Sequence, residues 1–588
     1  MDRVRAGQAE REPVRFYPHF NPGRSVKLAE ALRERGFQVR DHAPYPIAPP
    51  VNWAADPYAD ANWRYQLNAI YPAIAYVMAY RESGDRDWFD RAVQLYLDWI
   101  DFNLTRDLPN EYKWYDMATG IRAINLAYII DHGLREGLLS AEAFAELAKA
   151  ADRHVLELWN QRLAHSNHGL FQLAGIAAVC RALPGLRRCE EARQYANAGY
   201  AKLFDLQFND EGMHLEHSPS YHVFALTVIQ KLMEADYFDL EPRHVQTFQK
   251  AVENYQWLIK PDFTHPAIGD TARQVYGDFR HLHPTVDYIY SDGQRGEHPP
   301  GGVRIFRKTG YAFVRHYPPG DEAKATSYIM MSVAHHSRVH KHADPFTFEW
   351  FDAGRSILVD AGKWGYDRAA ERDYVLSTRA HNTVEIDGGD DEIEQAPDSL
   401  PVLSGTVSDD GVYVLMANGE RRPSGVRHRR LLVLRPGEWL LVADRLVDDE
   451  AHDLVQWLHP AETFQCEASA ADDAFHCEDA ELKFTVRPLA PAGGLVHERG
   501  VREPRLQGWI SPEYAKLVPA DALGFVQNGV ETGEFVTLVD LAGGHSVAST
   551  VEFTDSSFTA CWSKEGVRHG VAVEWADDGE LRVERCAE

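Results

Sequence analysis

Cysteines and basic residues are both scarce in this sequence. It has six cysteines in 588 residues, and no two of them form a CxxC pair. We therefore expect neither a disulfide framework nor a thiolate metal site. The 61 Lys and Arg residues are outnumbered by 88 Asp and Glu residues, which gives a net charge of −27 at pH 7. Such a field repels nucleic acid and anionic membranes, so neither is an expected partner.

Long apolar runs and several familiar catalytic motifs are also missing. No run of about 18 apolar residues is present, and the first 20 residues lack the apolar segment of a signal peptide. As given, the chain is expected to be soluble and cytoplasmic; if the sequence is that of a mature form, a periplasmic or secreted location is expected instead. The Walker, Rossmann and GxSxG motifs are absent, which argues against nucleotide-dependent and α/β-hydrolase chemistry.

What is present predicts two kinds of structure in series. Hydrophobic residues make up 45% of the chain, enough for large cores, and its length suggests two or three domains. From about residue 60 to 260, apolar stripes at helical spacing with short connections predict an α/α toroid or another helical array. After about residue 291, alternating residues and turn signals predict an antiparallel β-sandwich, with one hairpin turning at Pro436-Gly437. We predict an α+β multidomain protein with a helical domain over 1–300 and a β-sandwich domain over 301–588.

The segment "HSNHGLFQLAGIAAV" places Asn167 and His168 where a helix begins. One interpretation is structural, because asparagine is a favoured helix N-cap. The other is functional: the Asn167 amide donates a hydrogen bond to a ligand oxygen, and His168 takes part in proton transfer. The sequence alone supports both interpretations.

The segment "EHSPSYHVF" places Tyr221 in the first turn of another helix. Ser218 or Ser220 can cap this helix, and Pro219 fits its first turn. Negative charge is favoured at a helix N-terminus, so the Tyr221 phenol can be stabilised there as a phenolate that acts as base or acid. The alternative is a tyrosine that only braces the start of the helix.

Four histidines and an aspartate crowd the segment "HHSRVHKHAD". If "RVHKHADPFTFEWF" is a strand, His340 and His342 point to the same face. Asp360 and His381 follow in later segments, and two imidazoles with a carboxylate from neighbouring strands suit zinc. A polar, histidine-rich loop is the alternative.

In this order, the motifs resemble those of the heparinase II/III-like polysaccharide lyases, which include heparin and heparan sulfate lyases and oligo-alginate lyases. The matching segments are "DANWRYQLNAIYPA", "SNHGLFQLAG", "EHSPSYHVF", "RVHKHADPFTFEW", "LVDAGKWGYD" and "RAHNTVEIDG". The resemblance implies an incomplete (α/α) toroid followed by antiparallel β-sheets. It also implies cleavage of uronic-acid-containing glycans by β-elimination, which leaves 4,5-unsaturated products.

The resemblance implies a role for each motif residue. Asn167 neutralises the uronate carboxylate, and His168 assists or serves as base for one stereochemistry. Tyr221 takes the C5 proton, donates to the leaving oxygen, or does both, with His340 as its partner base or acid. A metal, zinc in a largely structural role, is implied at His342, Asp360 and His381. Substrate contacts are predicted at Trp114, Arg122, Tyr366 and Tyr374.

The implied partner is an acidic polysaccharide or oligosaccharide, and no organic cofactor is implied. Heparan sulfate and heparin are favoured as substrates because the layout is most similar to that of heparinase III. An oligo-alginate lyase or a broader hyaluronan or chondroitin lyase stays open. An α/α-toroid glycoside hydrolase would need a carboxylate pair, and none stands out among the 88 acidic residues. A carbohydrate-binding protein would have no use for Tyr221 and His340 together.

Overall fold

The computed structural model describes residues 11–16, 25–161, 163–164, 167–275, 279–318, 326–542, 546–564, 566–576 and 579–586. The chain forms two compact units. The first consists of Met1–Gln207 and Thr227–Val245, and the second of Phe208–Leu226 and Gln246–Glu588.

Helices occupy the first half of the described chain, as predicted. They are α1 Ser25–Arg35, α2 Ala61–Asn68, α3 Tyr71–Ser83, α4 Arg86–Ile100, α5 Asp116–Arg135, α6 Ala141–Asn160, α7 Asn167–Ala182, α8 Cys189–Gln207, α9 Pro219–Ala235, α10 Pro242–Asn254 and α11 Pro284–Tyr290, with α12 Ala370–Leu376 among the strands. A π-helical turn, Asp101–Thr105, extends α4. Helix α7 begins at Asn167 and α9 at Pro219, which confirms the two predicted helix starts.

The helix boundaries follow ordinary capping chemistry. Asp60 caps α2 by accepting from the backbone N–H groups of Asn62 and Trp63, and Ser140 caps α6 by accepting from that of Ala143. The long apolar segment that contains α2 and α3 is broken at Ile70, which adopts a left-handed φ of 53°. Local capping signals therefore account for the starts of α2 and α6, whereas α3 begins after Ile70 without a side-chain cap.

Strands follow from residue 302 onward. They are β1 Gly302–Phe306, β2 Tyr311–His316, β3 Ser327–Ser332, β4 Phe348–Asp352, β5 Arg355–Leu358, β6 Val384–Ile386, β7 Val402–Val407, β8 Tyr413–Glu420, β9 Arg427–Arg435, β10 Trp439–Leu458, β11 Gln465–Ser469, β12 Ala474–Glu478, β13 Lys483–Pro488, β14 Gly494–Arg499, β15 Trp509–Glu513, β16 Lys516–Pro519, β17 Asp521–Asp540, β18 Ser546–Phe553, β19 Ser557–Lys564, β20 Val567–Trp575 and β21 Leu581–Arg585. Strands β9 and β10 pair in register from Arg435 and Trp439, which confirms the hairpin at Pro436-Gly437.

The strands form layered antiparallel sheets. Strands β1 to β5 form one sheet in sequence order, and a ten-stranded sheet follows the order β11-β12-β13-β17-β10-β9-β8-β7, with β14 on β17 and β6 on β10. Buried side chains of these two sheets, such as Trp350 and Leu440, share one core. The other face of the large sheet packs through Trp439 against Trp562 of the β18–β21 sheet. The predicted order of helices and then an antiparallel β-sandwich is confirmed, with a third layer added; closure of the helices into a toroid stays a prediction.

The compact units do not divide at residue 300. Helix α11 ends at Tyr290 and β1 begins at Gly302, so the change from helix to strand lies there. The second unit nevertheless takes in Phe208–Leu226 and everything from Gln246 onward. The start of α9, with Tyr221, therefore belongs to the unit that contains the sheets.

The expectation of no disulfide framework is wrong. The six cysteines form three disulfides, which are Cys180–Cys189, Cys466–Cys477 and Cys561–Cys586. The pairs are 9, 11 and 25 residues apart in sequence. No CxxC spacing is needed, because Cys466 and Cys477 face each other across β11 and β12. Within the described part of the chain, no helix is both long and apolar enough to span a bilayer.

The predicted strand over "RVHKHADPFTFEWF" is wrong in its first half. Residues 333–347 form turns and loop, and β4 begins only at Phe348. His340 has a left-handed φ of 57°, which no strand residue adopts. His340 and His342 are therefore loop residues, and strand alternation does not orient their side chains.

Candidate active site

Tyr221 and His340 form the centre of the site within the second unit. Ser218 accepts a hydrogen bond from the backbone N–H of Tyr221 through its Oγ, at 3.4 Å, and so caps α9. The Tyr221 ring stacks on the His340 imidazole, with centroids 3.7 Å apart and planes inclined by 20°. Its hydroxyl lies 2.7 Å from the hydroxyl of Tyr366. The structure thus brings together three predicted site residues that lie far apart in sequence.

Buried carboxylates surround the His340 ring. Its Nδ1 lies 3.0 Å from Oδ2 of Asp270, and its Nε2 lies 3.5 Å from Oε2 of Glu216. Asp270 is 2% exposed and also accepts hydrogen bonds from His342 and from both terminal nitrogens of Arg372. Burial alone would raise the pKa of Asp270, but these hydrogen bonds hold it well below its ordinary value.

The pKa of Tyr221 is shifted in the direction opposite to the one expected from its helix position. Desolvation raises it to about 12, and the carboxylates of Asp270 and Glu216 add to the rise, while the hydrogen bond with Tyr366 and the charge of Arg372 oppose it. The partial charge at the end of α9 does not outweigh burial beside two acids. At neutral pH, Tyr221 is therefore a neutral phenol that can donate a proton.

A second cluster lies beside the first. His342, Asp360 and His381 are each 0% exposed, and one potential ligand atom from each lies within 4.8 Å of the others. His381 Nδ1 is 2.8 Å from Oδ2 of Asp360. Nδ1 of His342 and Nε2 of His381 have no hydrogen-bond partner among the described residues. Buried imidazole nitrogens without partners, next to a carboxylate, fit a metal with nitrogen and oxygen ligands.

Tyr366 and Tyr374 differ sharply in their surroundings. Tyr366 is 47% exposed, and Lys363 and Arg372 lie over its ring at 5.4 and 5.7 Å from the centroid. This aromatic face with two cations can contact an acidic sugar. Tyr374 is fully buried, and its hydroxyl donates to the backbone carbonyl of Trp509 at 3.2 Å. The substrate contact predicted for Tyr374 is not supported by this geometry.

Four predicted residues belong to the first unit. Asn167 is half-buried at the start of α7, and His168 Nδ1 lies 3.2 Å from Oδ1 of Asp116. Trp114 is half-buried and lines a cavity of about 400 Å³. Basic and acidic side chains both line this cavity; they are Lys113, Lys149, Arg153, Asp107 and Glu146.

Arg122, the fourth, is fully buried within the first unit. Its guanidinium donates to His154 Nε2 at 2.8 Å, to the carbonyl of Asn68, and to that of Lys113 at 2.7 Å. Burial lowers its pKa to about 9. These contacts hold helices and loops together, so the predicted substrate contact of Arg122 is not supported by the geometry.

Asp270, Glu216 and Arg372 are the site residues that the sequence did not indicate. Asp270 follows Gly269 in a segment without any recognised motif, 70 residues before His340. Glu216 stands inside the quoted segment "EHSPSYHVF", and Arg372 lies six residues beyond Tyr366. Of these three residues, only Glu216 could have been suggested by the sequence, because it stands in the same motif as Tyr221.

Comparison with known proteins identifies relatives of this chain. The heparinase II/III N-terminus model matches residues 22–292, and the heparinase II/III-like C-terminal model matches residues 298–523. A heparin-sulfate lyase from Pedobacter heparinus is 24% identical over 437 residues, which cover 69% of this chain and 64% of that protein. The chain thus spans less than two thirds of the length of this curated relative.

Two solved structures have the same fold. The crystal structure of a heparan sulfate lyase from Pedobacter heparinus superposes with a TM-score of 0.72 at 18% identity, covering 97% of this chain and 93% of that one. A crystal structure of heparinase III superposes with a TM-score of 0.76 at 15% identity, covering 97% of this chain and 94% of that one. The similarity of fold extends over both the helical and the β-rich parts.

Proposed function

The chain belongs to the heparinase II/III family, and we propose that it is a lyase that cleaves uronic-acid-containing glycans by β-elimination. Heparan sulfate is the favoured substrate, because the relative from Pedobacter heparinus is a heparin-sulfate lyase and one of the two solved structures is a heparan sulfate lyase. An oligo-alginate, hyaluronan or chondroitin lyase is the second candidate, since Lys363 and Arg372 beside Tyr366 suit any uronate.

The observation that carries the proposal is the contact between Tyr221 and His340. β-Elimination needs one group that removes the C5 proton and another that protonates the departing O4. His340 donates from Nδ1 to Asp270 at 3.0 Å, whereas its Nε2 lies 3.5 Å from Glu216, so we assign the lone pair that accepts a proton to Nε2. Tyr221, with a pKa of about 12, carries a proton to give. We assign His340 as the base and Tyr221 as the acid.

The bond changes are balanced without any further reactant. The C5 proton goes to His340, a C4–C5 double bond forms, the C4–O4 bond breaks, and O4 takes the proton of Tyr221. Each proton transfer contributes roughly 10²–10⁴-fold to the rate. Asn167 and His168 are proposed to donate hydrogen bonds to the uronate carboxylate. Such bonds strengthen as negative charge builds up on that carboxylate in the transition state.

The metal proposed at His342, Asp360 and His381 is zinc, because two imidazoles and one carboxylate are a common donor set for this ion. Its proposed role is structural: bound zinc would hold together the segment that follows β5, the segment that precedes β6 and the His342 loop, through Asp360, His381 and His342. The elimination itself is assigned only to residues of the chain.

We propose an oxidising compartment, periplasmic or extracellular, as the place of action. The three disulfides support this location over the cytoplasm, because disulfides persist in oxidising compartments and are rare in cytosolic proteins. Protein purified without reductant and then denatured should show no titratable thiol, and six after reduction. Free thiols in the unreduced protein would contradict the proposal.

The test of the proposed function is an absorbance assay on a substrate panel. Heparan sulfate, heparin, hyaluronan, chondroitin sulfate and alginate are each incubated with the protein, and ultraviolet absorbance of the unsaturated uronate is followed beside the release of reducing ends. We expect absorbance to rise fastest with heparan sulfate. Reducing ends without absorbance would indicate a hydrolase and refute the elimination. A rise with another polymer alone would keep the lyase and replace the substrate.

A further inference from the structure

One buried carboxylate, Asp270, contacts both the proposed base and the proposed metal cluster. Its Oδ2 lies 3.0 Å from Nδ1 of His340, and its Oδ1 lies 2.9 Å from Nε2 of His342. The guanidinium of Arg372 donates to both oxygens of the same carboxylate. Asp270 has no part in the proton transfers described above, yet the two histidines that flank Lys341 both depend on it.

The contacts of Asp270 determine which nitrogen of each histidine carries hydrogen. A carboxylate paired with an arginine accepts hydrogen bonds and donates none. The nitrogens that face it, Nδ1 of His340 and Nε2 of His342, must therefore be the protonated ones. Nε2 of His340 lies 3.5 Å from Oε2 of Glu216, farther than the 3.0 Å from its Nδ1 to Asp270, and so keeps its lone pair for the substrate proton. Nδ1 of His342 keeps its lone pair for a metal. Consistent with this, His342 Nδ1 has no hydrogen-bond partner among the residues described.

The backbone around Asp270 is built for this contact. Gly269 has a left-handed φ of 57°, and a Cβ added there would meet the backbone carbonyl oxygens of His217 and His340. The Asp270 backbone N–H donates to the His340 carbonyl at 3.1 Å. Main chain and side chain of Asp270 therefore both hold the His340 loop, and only glycine fits at the preceding position.

We infer that Asp270 is a positioning residue that fixes the tautomers of His340 and His342 together, and thereby couples metal binding to proton transfer. The part of this inference that concerns His340 rests on the proposed function, and the part that concerns His342 and the metal does not. If the metal is lost, the His342 ring is no longer anchored on one side. Arg372 still holds the Asp270 carboxylate, but its partner at Oδ1 is then less fixed, and the orientation of the His340 ring at Oδ2 becomes less precise.

The direct test is Asp270→Asn. An amide keeps one acceptor oxygen but presents an N–H₂ group on its other side, so it can match only one of the two histidine tautomers. Loss of a carboxylate that orients a metal ligand typically costs about 10–100-fold in metal affinity or activity. We expect kcat on heparan sulfate to fall by about that factor with KM within about threefold, and zinc retained after dialysis against a weak chelator to fall in parallel.

Asp444→Asn is the matched control. Asp444 is equally buried and also bonds a histidine and an arginine, His428 Nε2 at 2.7 Å and Arg430 Nη2 at 2.6 Å, but it contacts no proposed site residue. Its replacement should lower the melting temperature while kcat and zinc content stay at wild-type values. If Asp444→Asn reproduced the losses of Asp270→Asn, the effect would be general destabilisation and the inference would be overturned.

A second measurement needs no substitution. Wild-type protein is freed of metal by a chelator and assayed well below its melting temperature, with circular dichroism confirming the fold. Coupling predicts a lower kcat with nearly unchanged KM, restored by added zinc. Full kcat in the folded, metal-free protein would overturn the coupling. If zinc fails to bind the wild-type protein, the inference about His342 and the metal is refuted. If the protein cleaves no polymer, the proposed function fails, but the zinc content of Asp270→Asn still tests whether Asp270 supports metal binding through His342.

Discussion

Tyr221 and His340 stack on one another, yet their neighbours suit them to the opposite tasks proposed for them, those of acid and base. Burial beside Asp270 and Glu216 keeps the proton on Tyr221. The hydrogen bond to Asp270 directs the lone pair of His340 away from that carboxylate. At the residue scale, the proposed chemistry therefore depends less on the ordinary pKa values of the two side chains than on the two acids buried around them.

His342 gives the residue-scale prediction for the metal. Replacing it in His342→Ala removes one of three proposed ligands, so bound zinc should be lost and the melting temperature should fall, because metal that binds only the folded state stabilises it. Elemental analysis and thermal unfolding measure both effects.

His336→Ala is the control for this substitution. His336 belongs to the same loop, but its Nε2 lies 2.9 Å from the carbonyl oxygen of Thr309 and it is outside the cluster. The His336→Ala variant should therefore bind zinc at the wild-type stoichiometry. Zinc retained at wild-type stoichiometry in His342→Ala would remove His342 from the ligand set.

Single site residues could be predicted from the sequence where they stand inside recognisable motifs. Residues that only position those motif residues, such as Asp270, could not. Tyr221, His340 and the cluster of His342, Asp360 and His381 all come from segments chosen by sequence. Asp270 could not be found, because its partners lie 70 and 72 residues away and its own segment has no motif. Side-chain adjacency across such separations depends on how the chain folds, which local patterns do not encode.

At the scale of elements, local chemistry predicted hairpins and helix starts but not the loop of the site. Pro436-Gly437 turns a hairpin because both residues favour tight turns. The segment around His340 alternates like a strand, yet contacts with Gly269 and Asp270 hold it in a left-handed turn. Cys466 and Cys477 likewise pair through the register of β11 and β12 and not through their spacing in sequence.

Gly269→Ala tests the element-scale account of this loop. A methyl group there would strain a positive φ and also push against the His340 carbonyl, 2.7 Å from the added Cβ. We expect a loss of at least about 2 kcal/mol in the free energy of unfolding and a large fall in activity. Chemical denaturation and the absorbance assay measure the two effects.

Gly388→Ala provides the comparison for Gly269→Ala. Gly388 has a similar φ of 68°, but nothing lies within 4 Å of an added Cβ. The Gly388→Ala variant should lose only about 1 kcal/mol in the free energy of unfolding, from backbone strain alone, and should keep its activity. Equal losses in the two variants would show that the close approach of Gly269 to the His340 loop has no consequence.

At the scale of the whole molecule, the charge of the chain and that of its proposed substrate have the same sign. The net charge of −27 repels an acidic polymer at long range. Binding must therefore depend on local cations. Lys363 and Arg372 lie beside Tyr366, and Lys113, Lys149 and Arg153 line the cavity beside Trp114. Arg372 and the three cations of the cavity each pair with an acidic residue of the chain, so an acidic polymer would have to compete with those carboxylates.

Buried neutral histidines make the stability of the molecule depend on pH. Burial lowers the pKa of His222 to about 4 and that of His265 to about 3, from an ordinary 6.5. Below pH 6.5 the unfolded chain binds protons that the folded chain does not, so stability falls as the pH drops from 6.5 towards 4. His222→Gln should reduce the fall in melting temperature between pH 7 and pH 5.

His452 serves as the control, because its pKa is shifted upward and not downward. Its hydrogen bond to Asp387 raises its pKa, so it stabilises the folded chain below pH 6.5 and loses that contribution as the pH rises through its folded pKa. His452→Gln should therefore steepen the loss at low pH. Identical pH profiles for both variants and the wild type would contradict the account.

Tyr221→Phe tests the central claim most directly, because it removes only the proposed acidic proton and keeps the ring that stacks on His340. The measurement is the rate of absorbance increase at saturating substrate, with substrate affinity measured in parallel. Loss of one proton-transfer group predicts a fall in kcat of roughly 10²–10⁴-fold with affinity and fold retained. Turnover near the wild-type rate would show that Tyr221 does not protonate the leaving oxygen, and the proposed mechanism would fail.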